Sequence, residues 1–235
     1  MAEQRTEETK IALVTGAGRG IGRATTRALL ASGWSVIAVS RTEADLLETI
    51  DGNPLGVVFP GDVRDAKLGL EIQKMVRRRF GKLDALVNNA GIAPMRPFVD
   101  TGEKLLNETL AVNFTGPFTL TRHLWTFLTR RGGSIVTLSS KATLDPFPGF
   151  AAYAAAKGAV EAWTKALAVE GEKHKVTAYC VAPAGVETKM FRDLPITRDV
   201  PTDAVLKPSD VADVIASVLN GERNEPSGSI IRLEK

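Results

Sequence analysis

Seven short apolar runs recur along this sequence, and most are hydrophobic without a break: IALVT (11–15), WSVIAV (34–39), LGVVF (55–59), LDALVN (83–88), SIVTLS (134–139), VTAYCVA (176–182) and SIIRL (229–233). A strand with one face in water alternates apolar and polar residues, whereas a strand covered on both faces has no such need. Unbroken runs therefore predict strands inside a sheet that is covered on both sides. The stretches between them are long enough for the crossover helices that parallel strands require. Helices are expected from about Gly20, with Ile21, Ala24, Ala28 and Leu29 on one face and a stop at Gly33. Others are expected over roughly 65–80, over about 103–130, from the stretch YAAAK to about 172, and over 209–221, with Ser209 as N-cap and Gly221 as stop. Strand and helix alternating throughout predict an α/β fold, a doubly wound parallel sheet with right-handed crossovers. Ligands in such sheets bind beyond the carboxyl ends of the strands, so the chemistry is expected in the loops that follow them.

The chain has 235 residues, 44% of them hydrophobic, which suits one globular domain over 10–235 behind a disordered polar tail over 1–9. A net charge of +3 is spread along the chain and gives little support to a nucleic-acid partner or a DNA-binding role. No apolar run approaches the roughly 18 residues of a membrane span, and the polar start lacks the apolar centre of a signal peptide. The single cysteine, Cys180, excludes an internal disulfide and fits a reducing, cytoplasmic location. With only His123 and His174 as histidines, no metal is expected.

Directly after the first strand comes TGAGRGIG, residues 15–22, with glycines at Gly16, Gly18, Gly20 and Gly22. A tight turn, close backbone approach to a diphosphate, and free N–H groups at a helix N-terminus make this a dinucleotide-binding pattern in its proper context. The second strand ends at Ser40 and Arg41, where an acidic residue would favour NAD. A guanidinium instead suits a 2′-phosphate, with Arg19 assisting from the glycine loop, so NADP(H) is favoured over NAD(H). Asp62, in GDVRD after the third strand, is placed either to accept from an adenine amino group or to cap a helix. Tyr153 and Lys157 stand four apart, on one face of a helix. Those five residues alone fit either a phenol beside an activating ammonium or an ordinary helix.

Taken in order, TGAGRGIG (15–22), GDV (61–63), NNAG (88–91), VNFTGPF (112–118), IVTLSS (135–140), YAAAK (153–157) and VAPAGVET (181–188) resemble the short-chain dehydrogenase/reductase family, in its short single-domain branch that includes 3-oxoacyl-(acyl-carrier-protein) reductases. The resemblance spans nearly the whole chain. It implies a Rossmann fold with seven parallel strands in the order 3-2-1-4-5-6-7. It also implies a ketoreductase in which Tyr153 is the general acid or base and Lys157 lowers the phenol's pKa and holds the nicotinamide ribose. Ser140 would orient the substrate carbonyl, and Asn113 would help hold a water beside the lysine. The implied cofactor set adds Gly16, Gly18, Arg19, Gly20, Ile21, Gly22, Ser40, Arg41, Asp62, Val63, Asn89, Ala90, Gly91, Pro183, Val186 and Thr188, with Asn88 bracing the central strand and the cofactor edge. One departure stands out: Pro183-Ala184-Gly185 replaces the usual Pro-Gly.

Phe147, Phe150, Met190 and Phe191, with Ser140 and Tyr153, are expected to line a largely apolar substrate pocket. Arg130, Arg131, Lys173 and Lys175 flank two helix exits, where they would attract an acidic acyl carrier protein or simply complement the helix dipole. The resemblance further implies pairing of the 103–130 and 153–172 helices, which carry Trp125, Phe127 and Trp163, into a homodimer or tetramer. The competing reading is a non-catalytic NADP-binding sensor or scaffold. Retention of Asn113, Ser140, Tyr153 and Lys157 argues against it.

Overall fold

The computed structural model describes residues 9–235. The polar tail expected over 1–9 falls, Thr9 apart, outside the described residues. Seven strands form one parallel sheet in the order β3-β2-β1-β4-β5-β6-β7. They are β1 (Ile11–Thr15), β2 (Ser35–Ser40), β3 (Gly56–Pro60), β4 (Ala85–Asn88), β5 (Ser134–Leu138), β6 (Thr177–Pro183) and β7 (Ile230–Leu233), each within two residues of its apolar run. Strand order reverses between β1 and β4, which pair directly through Ala12–Ala85, Leu13–Leu86 and Val14–Val87.

Alternate residues of the central strands point to opposite faces, which is why their runs are unbroken. Ala12 and Val14 pack with Leu29 of helix α1 (Gly20–Ala31), Leu46 of α2 (Glu43–Ile50), and Val211 and Ile215 of α8 (Pro208–Asn220). Ile11 and Leu13 pack on the other face with Ile72 of α3 (Leu68–Arg79) and with Leu124 and Phe127 of α5 (Gly116–Leu128). Phe127 is therefore a core residue, not part of a pairing face, because its side chain turns toward the sheet. Trp163 stays partly buried and joins Phe114 and Phe118 in an aromatic group with ring centres 5.6–6.1 Å apart.

The long helix expected over 103–130 is interrupted: α4 (Glu103–Leu110) passes through a π turn at Ala111–Thr115 before α5 begins. Helix α6 (Ala151–Gly171) carries YAAAK in its first two turns, and α7 (Lys189–Arg192) is a single turn after β6. Helix α8 starts one residue before the expected cap, at Pro208. Lys207 is its N-cap, and the Asp210 carboxylate accepts from the Lys207 N–H at 2.8 Å; Gly221 ends it with φ 76°. Among the described residues no helix is long and apolar enough to cross a membrane.

Candidate active site

A cleft of about 770 Å³ opens along the carboxyl ends of the strands, centred where the strand order reverses. It is lined by every residue named from the sequence for cofactor, chemistry or substrate except Gly22 and Asn88. Gly22 sits behind the glycine turn. A methyl added there would collide with the Gly16 carbonyl oxygen, so this glycine lets α1 pack under the turn.

The turn itself is held from two sides. Gly16 and Gly20 take φ of 65° and 54°, a region that side chains other than glycine's disfavour. Asn89 Nδ2 donates to the Thr15 and Gly16 carbonyls at 2.8 and 3.3 Å, and Thr15 Oγ1 accepts from the Asn89 and Ala90 N–H groups at 3.1 Å. Arg23, one turn into α1, donates through Nε to the Gly18 carbonyl at 2.9 Å and pairs with Glu48 of α2. No sequence signal marked Arg23, since its partner lies 25 residues away. Arg19, the N-cap of α1, is extended and makes no side-chain cap bond. An uncapped helix start behind a glycine turn favours a phosphate, so these residues fit a dinucleotide diphosphate.

At the end of β2, Ser40 and the exposed Arg41 line one extremity of the cleft together with Arg19 and Arg64. Among the described residues neither Arg19 nor Arg41 is ion-paired. Asp62 reaches the same extremity but does not cap a helix, since α3 begins only at Leu68. Its carboxylate accepts from Arg64 Nε at 3.1 Å and Nη2 at 2.7 Å, and the Arg64 guanidinium holds the carboxyl below its ordinary range. Arg64 stands two residues after Asp62 in GDVRD, a spacing that sequence reading passed over.

Deeper in the cleft the ends of β4 and β5 meet α6. Ser140 follows β5, and its Oγ accepts from the Ala142 N–H at 3.2 Å. Tyr153, in the first turn of α6, has its hydroxyl beside Ser140. Burial pushes this phenol above its ordinary pKa, and the Ser140 hydrogen bond pulls weakly the other way. That is opposite to the expected depression by Lys157. The Lys157 ammonium donates to the Leu138 carbonyl at 2.7 Å, and burial lowers its pKa to about 8.

Asn113 sits in the π turn, 1% exposed. Its Oδ1 accepts from the Ile92 N–H at 3.2 Å, and its Nδ2 donates to the carbonyls of Ile92 and Thr109 at 2.9 and 3.0 Å. One side-chain amide thus clamps both backbone groups of Ile92. Gly91 lies between Asn113 and Lys157: a methyl there would stand 2.9 Å from Asn113 Oδ1 and 3.7 Å from Lys157 Nζ. Asn88 does not brace the cofactor edge. It is buried and donates to Thr121 Oγ1 at 3.2 Å, tying β4 to α5.

The remaining wall is apolar. Phe147, Phe150 and Tyr153 form a file of rings with centres 6.1 and 5.3 Å apart. The cleft wall also includes Met190 and Phe191, with Met95 and Leu194 from the stretches 92–98 and 187–195 beside the cleft, and Ile196 and Val205, which no sequence signal marked. Gly185 is required for packing, because a methyl there would lie 2.7 Å from the Phe191 ring; Ala184 only adds a side chain to the cleft wall. Thr188 caps α7 by accepting from the Phe191 N–H at 3.2 Å and stands against Gly20. Arg192 fastens this lid: Nε donates to Glu187 Oε1 at 2.9 Å, and Nη1 donates to the Thr197 and Val200 carbonyls at 3.0 and 2.7 Å. Arg130, Arg131, Lys173 and Lys175 precede β5 and β6, at the end of the sheet opposite the cleft. Among the described residues no group of three or more His, Cys, Asp or Glu side chains is placed to hold a metal.

The sequence model of the short chain dehydrogenase family matches residues 10–199. Carbonyl reductase (NADPH) 2 of Sus scrofa is 37% identical over 217 residues, covering 88% of this chain and 86% of that protein. The 3-oxoacyl-(acyl-carrier-protein) reductase FabG of Thermotoga maritima is 34% identical over 240 residues, covering 97% of each. In three dimensions the chain is similar to a 3-ketoacyl-(acyl-carrier-protein) reductase from Brucella melitensis complexed with NADH. The TM-score is 0.89 at 27% identity, over 96% of this chain and 97% of that one. Together with the glycine turn and the seven-stranded sheet, these matches make the chain a member of the short-chain dehydrogenase/reductase family, a nicotinamide-dinucleotide-binding oxidoreductase.

Proposed function

We propose that this chain is an NADPH-dependent reductase of ketones and aldehydes. The observation that carries the reading is the meeting of Ser140, Tyr153, Lys157 and Asn113 in one part of a cleft whose far end carries unpaired arginines. When bound, the reduced nicotinamide supplies the hydride. Ser140 donates a hydrogen bond to the substrate carbonyl oxygen, and Tyr153 gives its proton to the same oxygen as negative charge develops there. A phenol kept neutral by burial is suited to donating. Lys157, buried beside it, holds the nicotinamide ribose and supports the phenolate left after transfer. Asn113 fixes Ile92 in the segment that follows β4, beside Gly91 on the cleft wall. The unpaired cations Arg41 and Arg19 support a 2′-phosphate, and hence NADP(H) over NAD(H).

The apolar file of Phe147 and Phe150 supports an uncharged, hydrophobic carbonyl substrate. The basic helix ends lie across the sheet from the cleft, so within one protomer they lend nothing to a carrier-bound substrate. The aromatic group of Phe114, Phe118 and Trp163 is the surface we assign to homo-oligomer formation. The function is tested by following NADPH oxidation with a panel of ketones. Tyr153→Phe is expected to lower kcat by about 10²–10⁴-fold, the usual contribution of a positioned general acid. Equal rates for both proteins overturn the reading and favour a binding protein that does no chemistry.

A further inference from the structure

Among the groups the proposed reaction does not use, one carboxylate lies deep in the molecule with both oxygens engaged. Glu161 stands on α6 one turn beyond Lys157 and two beyond Tyr153, so the three share a helix face. Its side chain is only 13% exposed. Oε1 accepts from Ser139 Oγ at 2.9 Å and from Thr143 Oγ1 at 2.8 Å. Oε2 accepts from Arg232 Nη2 on β7 at 3.3 Å.

Ser139 and Thr143 bracket Ser140. Each hydroxyl has one proton and a second acceptor in reach: Ser139 Oγ lies 3.3 Å from the Lys157 carbonyl, and Thr143 Oγ1 lies 3.0 Å from the Ser140 carbonyl. The charged oxygen is the nearer acceptor in both cases and forms the stronger bond. Ser140 and Tyr153 come from different elements. The chain joining them runs through 144–148, exposed at every residue, with Leu144 and Phe147 at 62% and 52%. A segment so exposed gives little hold on the distance between the two hydroxyls. The bonds to Glu161 supply that hold from the other side.

We propose that Glu161 is a positioning residue: it fastens the Ser139–Thr143 loop to α6 and so sets the Ser140 hydroxyl against the Tyr153 phenol. The proposal rests on the reading of Ser140 and Tyr153 as carbonyl-binding and proton-donating groups. Its kinetic consequence is specific, because loosening the loop misplaces the carbonyl without touching the glycine turn.

The experiment compares wild type, Glu161→Ala, Glu161→Gln and Thr143→Val by steady-state ketone reduction, NADPH fluorescence titration and hydrogen exchange. Glu161→Ala is expected to lower kcat and raise the ketone KM, with kcat/KM falling at least about tenfold, as small misplacements do. Its NADPH Kd stays within about twofold of wild type in this view, since no cofactor contact changes. Glu161→Gln keeps an oxygen that accepts both hydroxyls and recovers to within about threefold of wild type. Thr143→Val, which loses one of the two bonds, falls between. Amides 139–143 exchange faster in Glu161→Ala while those of α1 do not.

Unchanged exchange in Glu161→Ala overturns the tether whatever the kinetics. Wild-type ketone kinetics in Glu161→Ala, or a joint loss of kcat, NADPH affinity and melting temperature in both Glu161→Ala and Thr143→Val, overturns the positioning role. If wild type reduces no ketone, or Tyr153→Phe matches it, the reading of the reaction fails and takes the kinetic claim with it, while the exchange result still decides the tether.

Discussion

The Lys157 ammonium reaches past Tyr153, donating at 2.7 Å to the Leu138 carbonyl at the end of β5, while its Nζ lies 5.8 Å from the centre of the Tyr153 ring. The amine therefore carries its charge in a buried place with a single neutral acceptor. Burial lowers its pKa from 10.5 to about 8. Below pH 8 the folded state bears the full cost of that charge. Between about pH 8 and 10.5 the unfolded chain binds a proton that the folded chain has released, so stability rises with pH across this window.

Lys157→Met removes the group. In the cofactor-free protein, the unfolding free energy of Lys157→Met relative to wild type is expected to fall as pH rises from 7 to 10, by up to about 3 kcal/mol. Tyr153, pushed upward by burial, is common to both proteins. Urea titrations at several pH values measure the difference, and a gap independent of pH contradicts the account.

Arg41 decides the coenzyme if the exposed guanidinium at the end of β2 meets a 2′-phosphate. Charge-assisted bonds contribute about 1.5–3 kcal/mol, so Arg41→Ala is expected to weaken NADPH binding by about 10–100-fold. NADH, which lacks that phosphate, is affected little. Titrating both nucleotides against the variant gives the ratio, and an unchanged ratio removes Arg41 from the assignment.

Gly22 has no room for a side chain, although it does not line the cleft. Gly22→Ala drives a methyl into the Gly16 carbonyl and the Asn89 amide. The expected cost is on the order of 1–3 kcal/mol of stability, seen as a lower urea midpoint, with cofactor affinity falling because the turn above it shifts. A variant as stable as wild type would show that α1 can slide away from the turn.

Arg192 fastens the lid through a planar fork that a lysine cannot reproduce. Arg192→Ala and Arg192→Lys are both expected to raise the ketone KM several-fold, with a smaller effect on NADPH. Limited proteolysis checks the cause, since both variants should be cut within 193–200 faster than wild type. Equal cutting rates would mean that Thr197 and the apolar contacts hold the lid without Arg192.

The strands and the cofactor cradle were legible because their signals are local. An unbroken run such as IALVT states its burial in five letters, and a glycine turn followed by an amphipathic helix states its use. Helix α2, EADLLETI, is not legible in the sequence because eight residues give only two turns of pattern, and its apolar residues Leu46 and Ile50 matter through contact with the sheet. The π turn is hidden for a different reason. Residues 103–130 read as one continuous helix, and the widened turn at Asn113 exists to satisfy Ile92, a partner 21 residues upstream.

Within the site, most residues that face the cleft were found, Arg64, Ile196 and Val205 being exceptions, and those that hold them in place were not. Arg23, Glu161 and Arg192 each act through a partner that sequence order does not reveal or through backbone carbonyls. The Tyr153 pKa runs opposite to expectation because burial, which helix spacing does not reveal, pushes the phenol up. Spacing puts Lys157 one turn from Tyr153, but the open Leu138 carbonyl, contributed by another element, claims its ammonium.

The Asn113 clamp on Ile92 also marks where this enzyme can be altered. Upstream of Ile92, the segment NNAG is bound to Thr15 through Asn89 and Ala90 and to Thr121 of α5 through Asn88, and admits little change. Downstream, from Ala93 to Pro97, the chain is tied to the loop before α6 by the Arg96 N–H, which donates to the Gly149 carbonyl at 3.0 Å, and it contributes Met95 to the cleft wall. Insertions or recoding in that stretch would remodel the pocket while the clamp isolates the nucleotide half from the disturbance, so Ile92 is the natural boundary for a library aimed at new carbonyl substrates.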